Sequence, residues 1–222
     1  MEPKVVQDFF LLSINPKNGY YFNFGNEFTY GLMGALVLDL YRLEKINFQN
    51  KSVFLVDQSS TDYPFFNRAI ELIKQKRTLL NVYGLISRIG FRYRIYKKEI
   101  VGSLLQNKII IKVRKKFLFI PYNRYYPFDR DRRFSIIRRY RDILLRNEMP
   151  ETDDLYLLSL IHATGLYKAL SDQRAERKVM RTKMKLLLQK DRGFNQKHEN
   201  IVMVAETLKR VIIAKNAAQH AH

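Results

Sequence analysis

Cysteine is absent from the 222 residues of this chain, which removes disulfides, thiolate zinc sites and cysteine nucleophiles. A reducing compartment is compatible with that, and the cytoplasm is the expected location. Long uncharged apolar runs are absent too. The longest apolar helical stretch, about 31–43, is interrupted by Asp39 and Arg42, and the opening apolar segment contains Asp8 and has no small-residue cleavage pattern. Neither secretion nor a bilayer span is expected, so any membrane association would be peripheral. No Gly-rich phosphate loop, metal-spaced histidine pair within a helix, or Gly-x-Ser-x-Gly elbow occurs in the sequence. The chain is therefore read as a non-enzyme with no cofactor and no metal site.

Acidic residues are scarce where basic ones are dense. Residues 92–146 hold seventeen Lys or Arg against Glu99, Asp129, Asp131 and Asp142, so this quarter supplies +13 of the formal +19. Such an imbalance calls for a polyanionic partner, either nucleic acid or the face of an anionic membrane. Aromatic residues flank the same stretch at Phe91, Tyr93, Tyr96, Tyr125, Tyr126 and Phe128, so charge and apolar contact are offered together.

With 46% hydrophobic residues the chain can bury a real core, and one domain over 1–222 is the economical expectation. Hydrophobic spacing and punctuation predict a short helix over 5–14, a turn at 15–19, a helix capped by Thr29, and a small hairpin from 45–48 and 52–56. Helices follow near 62–74, at 79–89 ending at Gly90, and at 92–105. A basic hairpin, KIIIKVRKKFLFIPY, spans 108–122. Further helices are expected at 130–146, at 155–166 after a Thr152 or Asp153 cap, at 173–190 and at 201–218. The run 155–166 is almost wholly apolar and should be a central, buried helix. The fold class is mainly α, a helical bundle with surrounding amphipathic helices and two small β-hairpins.

Within the basic region Arg94, Lys97 and Lys98 stand three and four apart, on one side of a helix. Three like charges repel unless an anion sits among them, which makes them candidates for a phosphate site. Arg114, Lys115 and Lys116 are placed at the hairpin tip, with Phe117 and Phe119 just beyond. Apolar residues on both hairpin faces imply cover by a partner copy or by lipid. His162 lies in the most apolar helix and reads as a hydrogen-bonded core residue. Asp153 and Asp154 read as helix caps, and His220 and His222 as a tail rather than a metal pair.

Six segments, taken in order, resemble one known family. They are QDFFLLSINPKNG (7–19), GLMGALVLDLYRLEKI (31–46), YPFFNRAIELI (63–73), KKEIVGSLLQNKII (97–110), YPF ahead of a basic helix (126–128), and LSLIHATGLYKAL (158–170). Their order and spacing over nearly the whole chain resemble the Golgi phosphoprotein 3 family, whose eukaryotic members are peripheral Golgi proteins and which also has bacterial relatives. The resemblance implies a helical bundle, a hairpin used in homo-oligomerisation, and a basic pocket for phosphatidylinositol-4-phosphate. The family's pocket aromatic, usually tryptophan, falls on Phe24, and two of its basic positions fall on Arg94 and Lys97. A third arginine position falls on Met33, which removes a charge-assisted contact of about 1.5–3 kcal/mol. Binding to anionic phospholipid in general survives that loss better than recognition of one phosphoinositide. The arginine-rich N-terminal tail with which eukaryotic members engage coat proteins is not seen before the first helix. A bacterial-type member is therefore expected, for which phosphatidylglycerol or cardiolipin would serve the same charges.

Two functions follow as expectations. The first is a peripheral membrane protein that binds anionic headgroups, with an adaptor role toward membrane enzymes as protein clients. The alternative is a nucleic-acid binding protein, because helix, helix, hairpin resembles a winged helix. Against it, the helix before the basic hairpin offers only Gly102, Ser103 and Gln106 as base-reading candidates.

Overall fold

A helix that is apolar on every side has to be surrounded, and two stretches of the chain have that character. The computed structural model describes residues 2–75, 78, 80–189 and 195–220. In it α2 (Asn26–Arg42) is buried continuously from Tyr30 to Leu40, and α7 (Thr152–Thr164) nearly so from Leu155 onward. Helices α1 (Lys4–Ser13), α4 (Val82–Phe91), α7 and α9 (Gln196–His220) all pack on α2. Around them lie α3 (Pro64–Lys74), α5 (Tyr93–Gln106), α6 (Arg130–Arg146), a 3-10 turn (Leu166–Ala169) and α8 (Arg174–Leu187). Two antiparallel hairpins complete the described chain: β1 (Ile46–Gln49) with β2 (Ser52–Leu55), and β3 (Ile110–Phe117) with β4 (Ile120–Pro127). The mainly helical class with two small hairpins is thus as expected.

Close approach to α2 depends on two of its glycines. A Cβ at Gly31 would lie 2.4 Å from the Phe9 ring and 2.7 Å from the Thr164 methyl, and one at Gly34 would lie 2.8 Å from Leu208. Glycine at these two positions lets α1, α7 and α9 sit against the α2 backbone.

Several helix starts differ from those read in the sequence. Thr29 is inside α2, which begins a turn earlier after Gly25, whose φ of +64° suits glycine. Asn81 caps α4 by accepting from the Gly84 N–H at 2.7 Å, and Leu79 lies outside the described residues. At α7 Glu151 takes the capping position and its backbone N–H donates to the Asp154 carboxylate at 2.9 Å, while Asp153 pairs with Lys4 at 3.5 Å. The α3 helix starts at Pro64, with Tyr63 ahead of it and no side-chain cap from Asp62. Lys190 and His222 lie outside the described residues.

One buried acid ties the two N-terminal helices together. Asp39, wholly buried on α2, accepts the Val6 N–H at the start of α1 at 2.8 Å and Arg42 Nε at 3.0 Å. Burial pushes its carboxyl up from 3.8 to about 6, outweighing the Val6, Arg42 and Val5 contacts that lower it. An acid whose folded value lies above its unfolded value contributes stability below the unfolded value, and the contribution fades as pH rises through the folded one. Lowering the pH from 7 to 4 should therefore add up to about 3 kcal/mol from this group. Urea titrations of Asp39→Asn across that range should lack the increment; an identical pH slope in both proteins would show that Asp39 does not titrate in the fold as described.

Candidate anionic-headgroup site

The loop joining α1 to α2, residues 15–25, is pinned at its base. Asn15 N–H donates to the Tyr20 carbonyl at 2.7 Å, Phe22 N–H donates to the Ser13 carbonyl at 2.8 Å, and Ile14 bridges Tyr21. Gly19, at φ +67°, is pressed on β4: a Cβ there would stand 2.9 Å from the Tyr126 ring and 3.0 Å from the Tyr125 carbonyl. At its bridge to Ile14, Tyr21 meets Lys97 of α5.

Tyr21 stacks on Phe28 at 3.9 Å between ring centres, Phe10 meets both rings edge-on at 5.7 Å, and Tyr93 stands edge-on to Phe28 at 6.5 Å. Lys97 Nζ lies over this group, 5.1 Å from the Tyr21 ring and 5.5 Å from those of Phe28 and Tyr93. Burial pushes the Tyr21 and Tyr93 hydroxyls far up, so the cage stays neutral, and burial pushes Lys97 down. The ring faces offset part of that desolvation, by about 0.5–2 kcal/mol for a cation so placed. Among the described residues no acid pairs with Lys97, Arg94 or Lys98. Lys97 is a half-buried cation set among three aromatic rings, which disposes it to accept an anion.

Phe24 is 60% exposed and meets Tyr20 edge-on at 6.3 Å. Arg124 of β4 covers the Tyr20 ring at 3.0 Å and that of Tyr122 at 4.7 Å. An aromatic and basic strip therefore runs from the loop to the hairpin, beside the Lys97 cage. Arg94 is exposed one turn before Lys97, and Lys98 is exposed outside the cage.

A family model described as Golgi phosphoprotein 3 (GPP34) matches residues 5–212. The chain belongs to the Golgi phosphoprotein 3 family. No curated protein matches it. In this family member Met33 is wholly buried in the core, so no basic group stands at that position of α2. Tyr93 was noted in the sequence only as one of the aromatics flanking the basic stretch, and Tyr20, Tyr21, Phe28 and Arg124 were not singled out, although the aromatic density of YYFNFGNEFTY over 20–30 was a signal for the first three.

The basic hairpin is longer than expected and turns elsewhere. Arg114, Lys115 and Lys116 are not at the tip but along β3, opposite Asn123, Tyr122 and Pro121. The tip is the pair Leu118 and Phe119, at φ +44° and +67°, flanked by Phe117 and Ile120. Two adjacent left-handed residues are what a two-residue hairpin turn requires, and bulky side chains adopt them at a cost. Ile109 and Ile110 anchor the base, with Phe128 and Asp129 N–H donating to the Ile109 carbonyl at 3.0 and 3.3 Å. Toward the tip, residues 114–121 are all exposed.

Other candidates resolve into structural roles. His162 Nδ1 lies 2.6 Å from the Tyr167 hydroxyl, in keeping with a hydrogen-bonded packing residue, and burial followed by Lys209, Lys185 and Arg181 lowers its pKa. Among the described residues no group of three or more His, Asp or Glu is placed to hold a metal, and no helix is long and apolar enough to cross a membrane.

Lysine dimethylation with 13C-labelled formaldehyde gives a direct test of the cage. One dimethyl-lysine resonance, missing in Lys97→Gln, should titrate below the remainder, and an anion bound there should move it back up. Because the folded value is depressed, stability should also rise with pH through the window below 10.5. If the resonance removed by the substitution titrates with the bulk, the cage does not desolvate Lys97.

Proposed function

We propose that this protein is a peripheral membrane protein that binds anionic phospholipid headgroups through Lys97, Arg94 and Lys98 while Phe24 and the β3–β4 tip enter the lipid. The observation that carries this reading is the construction of the hairpin. Phe117, Leu118, Phe119 and Ile120 are 67%, 74%, 96% and 68% exposed, and directly behind them Lys112, Arg114, Lys115 and Lys116 are exposed along the strand. An apolar end followed by a basic collar matches the depth profile of an anionic bilayer, acyl chains below and phosphates above. Each apolar side chain removed from water contributes about 1.5–3 kcal/mol when fully buried. Each basic residue near the surface adds about 1 kcal/mol, so tip and collar together support reversible binding.

With Met33 in the core, the surviving charges suit a phosphate of any anionic lipid, phosphatidylglycerol and cardiolipin included, as well as phosphatidylinositol-4-phosphate. Away from a membrane the same four apolar residues would be covered by the tip of a second copy, which is the homo-oligomer reading. Duplex nucleic acid fits poorly, because an apolar tip has no counterpart in a phosphate backbone.

Flotation with vesicles at physiological salt tests the proposal. Phosphatidylglycerol vesicles should carry the protein up, and pure phosphatidylcholine vesicles should not. The pair Arg94→Glu with Lys97→Glu should weaken binding by roughly tenfold or more, given about 1 kcal/mol per charge and a sign reversal at each. Phe117→Ser with Phe119→Ser should weaken it independently. Unchanged flotation of the Arg94 and Lys97 variant, or release of the wild type by a modest amount of duplex DNA, would overturn the proposal.

A further inference from the structure

Helix α6 carries seven arginines, and their partners divide them sharply. Arg132 pairs with Asp8 and Glu2, Arg139 with Asp154 and Glu148, Arg141 with Glu176, and Arg138 and Arg146 with Asp142. Arg130 and Arg133 have no acid partner among the described residues, and these two line the same cleft. Its volume is about 550 Å³, and Lys17, Tyr126, Phe134 and Ile137 also line it. A second, smaller cleft of about 230 Å³ adjoins it across the Pro16–Lys17 turn and is also lined by Arg133.

Arg133 is half-buried, and its Nε is buried with no hydrogen-bond partner. Among the described residues its one side-chain hydrogen bond is Nη2 to the Ile14 carbonyl at 3.5 Å, the outer limit for such a bond. A guanidinium offers five donors in a planar fork, and leaving them unmet in a partly desolvated position is unfavourable. We infer that the cleft around Arg133 is a second oxyanion site, separate from the Lys97 cage, which takes a phosphate or carboxylate group attached to an apolar body.

The charge balance supports an anion. Lys17, Arg130 and Arg133 oppose one carboxylate, that of Asp131, which lies on the exposed first turn of α6. The walls supply the apolar part: Phe134 is 66% exposed, with Ile137 one turn further along the helix and Pro127 at the end of β4. Burial also lowers the Arg133 pKa, in keeping with a cation that lacks a counter-ion. The two sites lie on opposite sides of the 15–25 loop, Tyr21 facing Lys97 and Phe22 lining the smaller Arg133 cleft, so the inference does not rest on the membrane reading.

Calorimetric titration with phenyl phosphate is the test, since it joins the oxyanion to an apolar ring. It should bind more tightly than inorganic phosphate. Made in the Lys97→Gln protein, so that the Lys97 cage takes none of the probe, Arg133→Met should lower its affinity roughly ten- to hundred-fold, the loss expected of one charge-assisted hydrogen bond. Without ligand, Arg133→Met should melt at or above the wild-type temperature, because an unpaired half-buried charge is gone. Should that variant not fold, the pair Lys17→Gln with Arg130→Gln is expected to show the same loss of affinity. Equal affinity in all variants, or loss in Lys97→Gln alone, would overturn the inference. Phosphatidic acid vesicles distinguish the source of the group: weaker flotation of Arg133→Met assigns the site to a headgroup, and unchanged flotation alongside lost phenyl phosphate binding assigns it to a soluble ligand.

Discussion

The approach of α1 to α2 is the constraint on which the rest of the molecule depends. Gly31 lets the Phe9 ring reach the α2 backbone, and Asp39 closes the pair from the other end by accepting the first amides of α1. Two helices fixed in this way leave the twelve residues between them little freedom, and their loop is held by the Ile14 and Tyr21 bridge and by Gly19 against β4. Tyr21 and Phe28 are therefore delivered to α5 as a stacked pair. A cage built from core packing is rigid for the same reasons that the core is.

Internal ion pairs offset part of the repulsion in a chain of such imbalanced charge. Most of the arginines of α6 are spent on internal ion pairs: Arg132 clamps α1 through Asp8, Arg139 holds the start of α7 through Asp154, and Arg141 joins α6 to α8 through Glu176. These are architectural contacts between elements, and several are half-exposed, so each contributes on the order of 0–1 kcal/mol while fixing orientation. The cations left over are the informative ones. Lys97 and Arg133 are both partly desolvated, both lack an acid partner among the described residues, and both border the 15–25 loop.

Much of the helical framework was legible in the sequence because it follows from periodicity and from punctuation by Gly, Pro and Asn. The ends of α5 and α6 and the buried character of α7 were read to within a residue or two. Caps were less legible: Thr29 looked like a start because it precedes the apolar run, yet Gly25, free to adopt φ +64°, begins α2 a turn earlier. The hairpin was misread for a related reason. Turn residues are normally Asn, Asp or Gly, so the polar trio of Arg114, Lys115 and Lys116 was the natural place to turn the chain. Leu118 and Phe119 carry no such signal, and only strand pairing from Ile110 to Pro127 reveals that they make the bend. The site was half legible. Lys97 and Arg94 stood out by charge and spacing, whereas the rings that surround Lys97 come from three separate elements, and no local pattern joins Tyr21 and Phe28 to Tyr93. The pairing state of Arg133 was invisible, since its neighbour Arg132 has the same type and nearly the same context but meets Asp8.

A partly desolvated cation without a counter-ion costs folding free energy, and the cost is returned when an anion arrives. In water two unit charges 4 Å apart attract by about 1 kcal/mol, and at the effective dielectric of a protein surface by about 4 kcal/mol. The same burial that makes Lys97 and Arg133 uncomfortable therefore strengthens whatever anion each accepts. Exposed lysines such as those of β3 behave differently, because their attraction is long-ranged, fast and screened beyond about 8 Å at physiological salt. On the proposed function the two kinds of cation would divide the work physically: the exposed collar of the hairpin would draw the protein toward an anionic surface, and the caged or clefted cation would give a single oxyanion a place to stay. A surface made only of exposed charge would bind in proportion to charge density and release with salt. The presence of half-buried, unpaired cations within reach of apolar walls is what makes selection among anions physically possible in this fold.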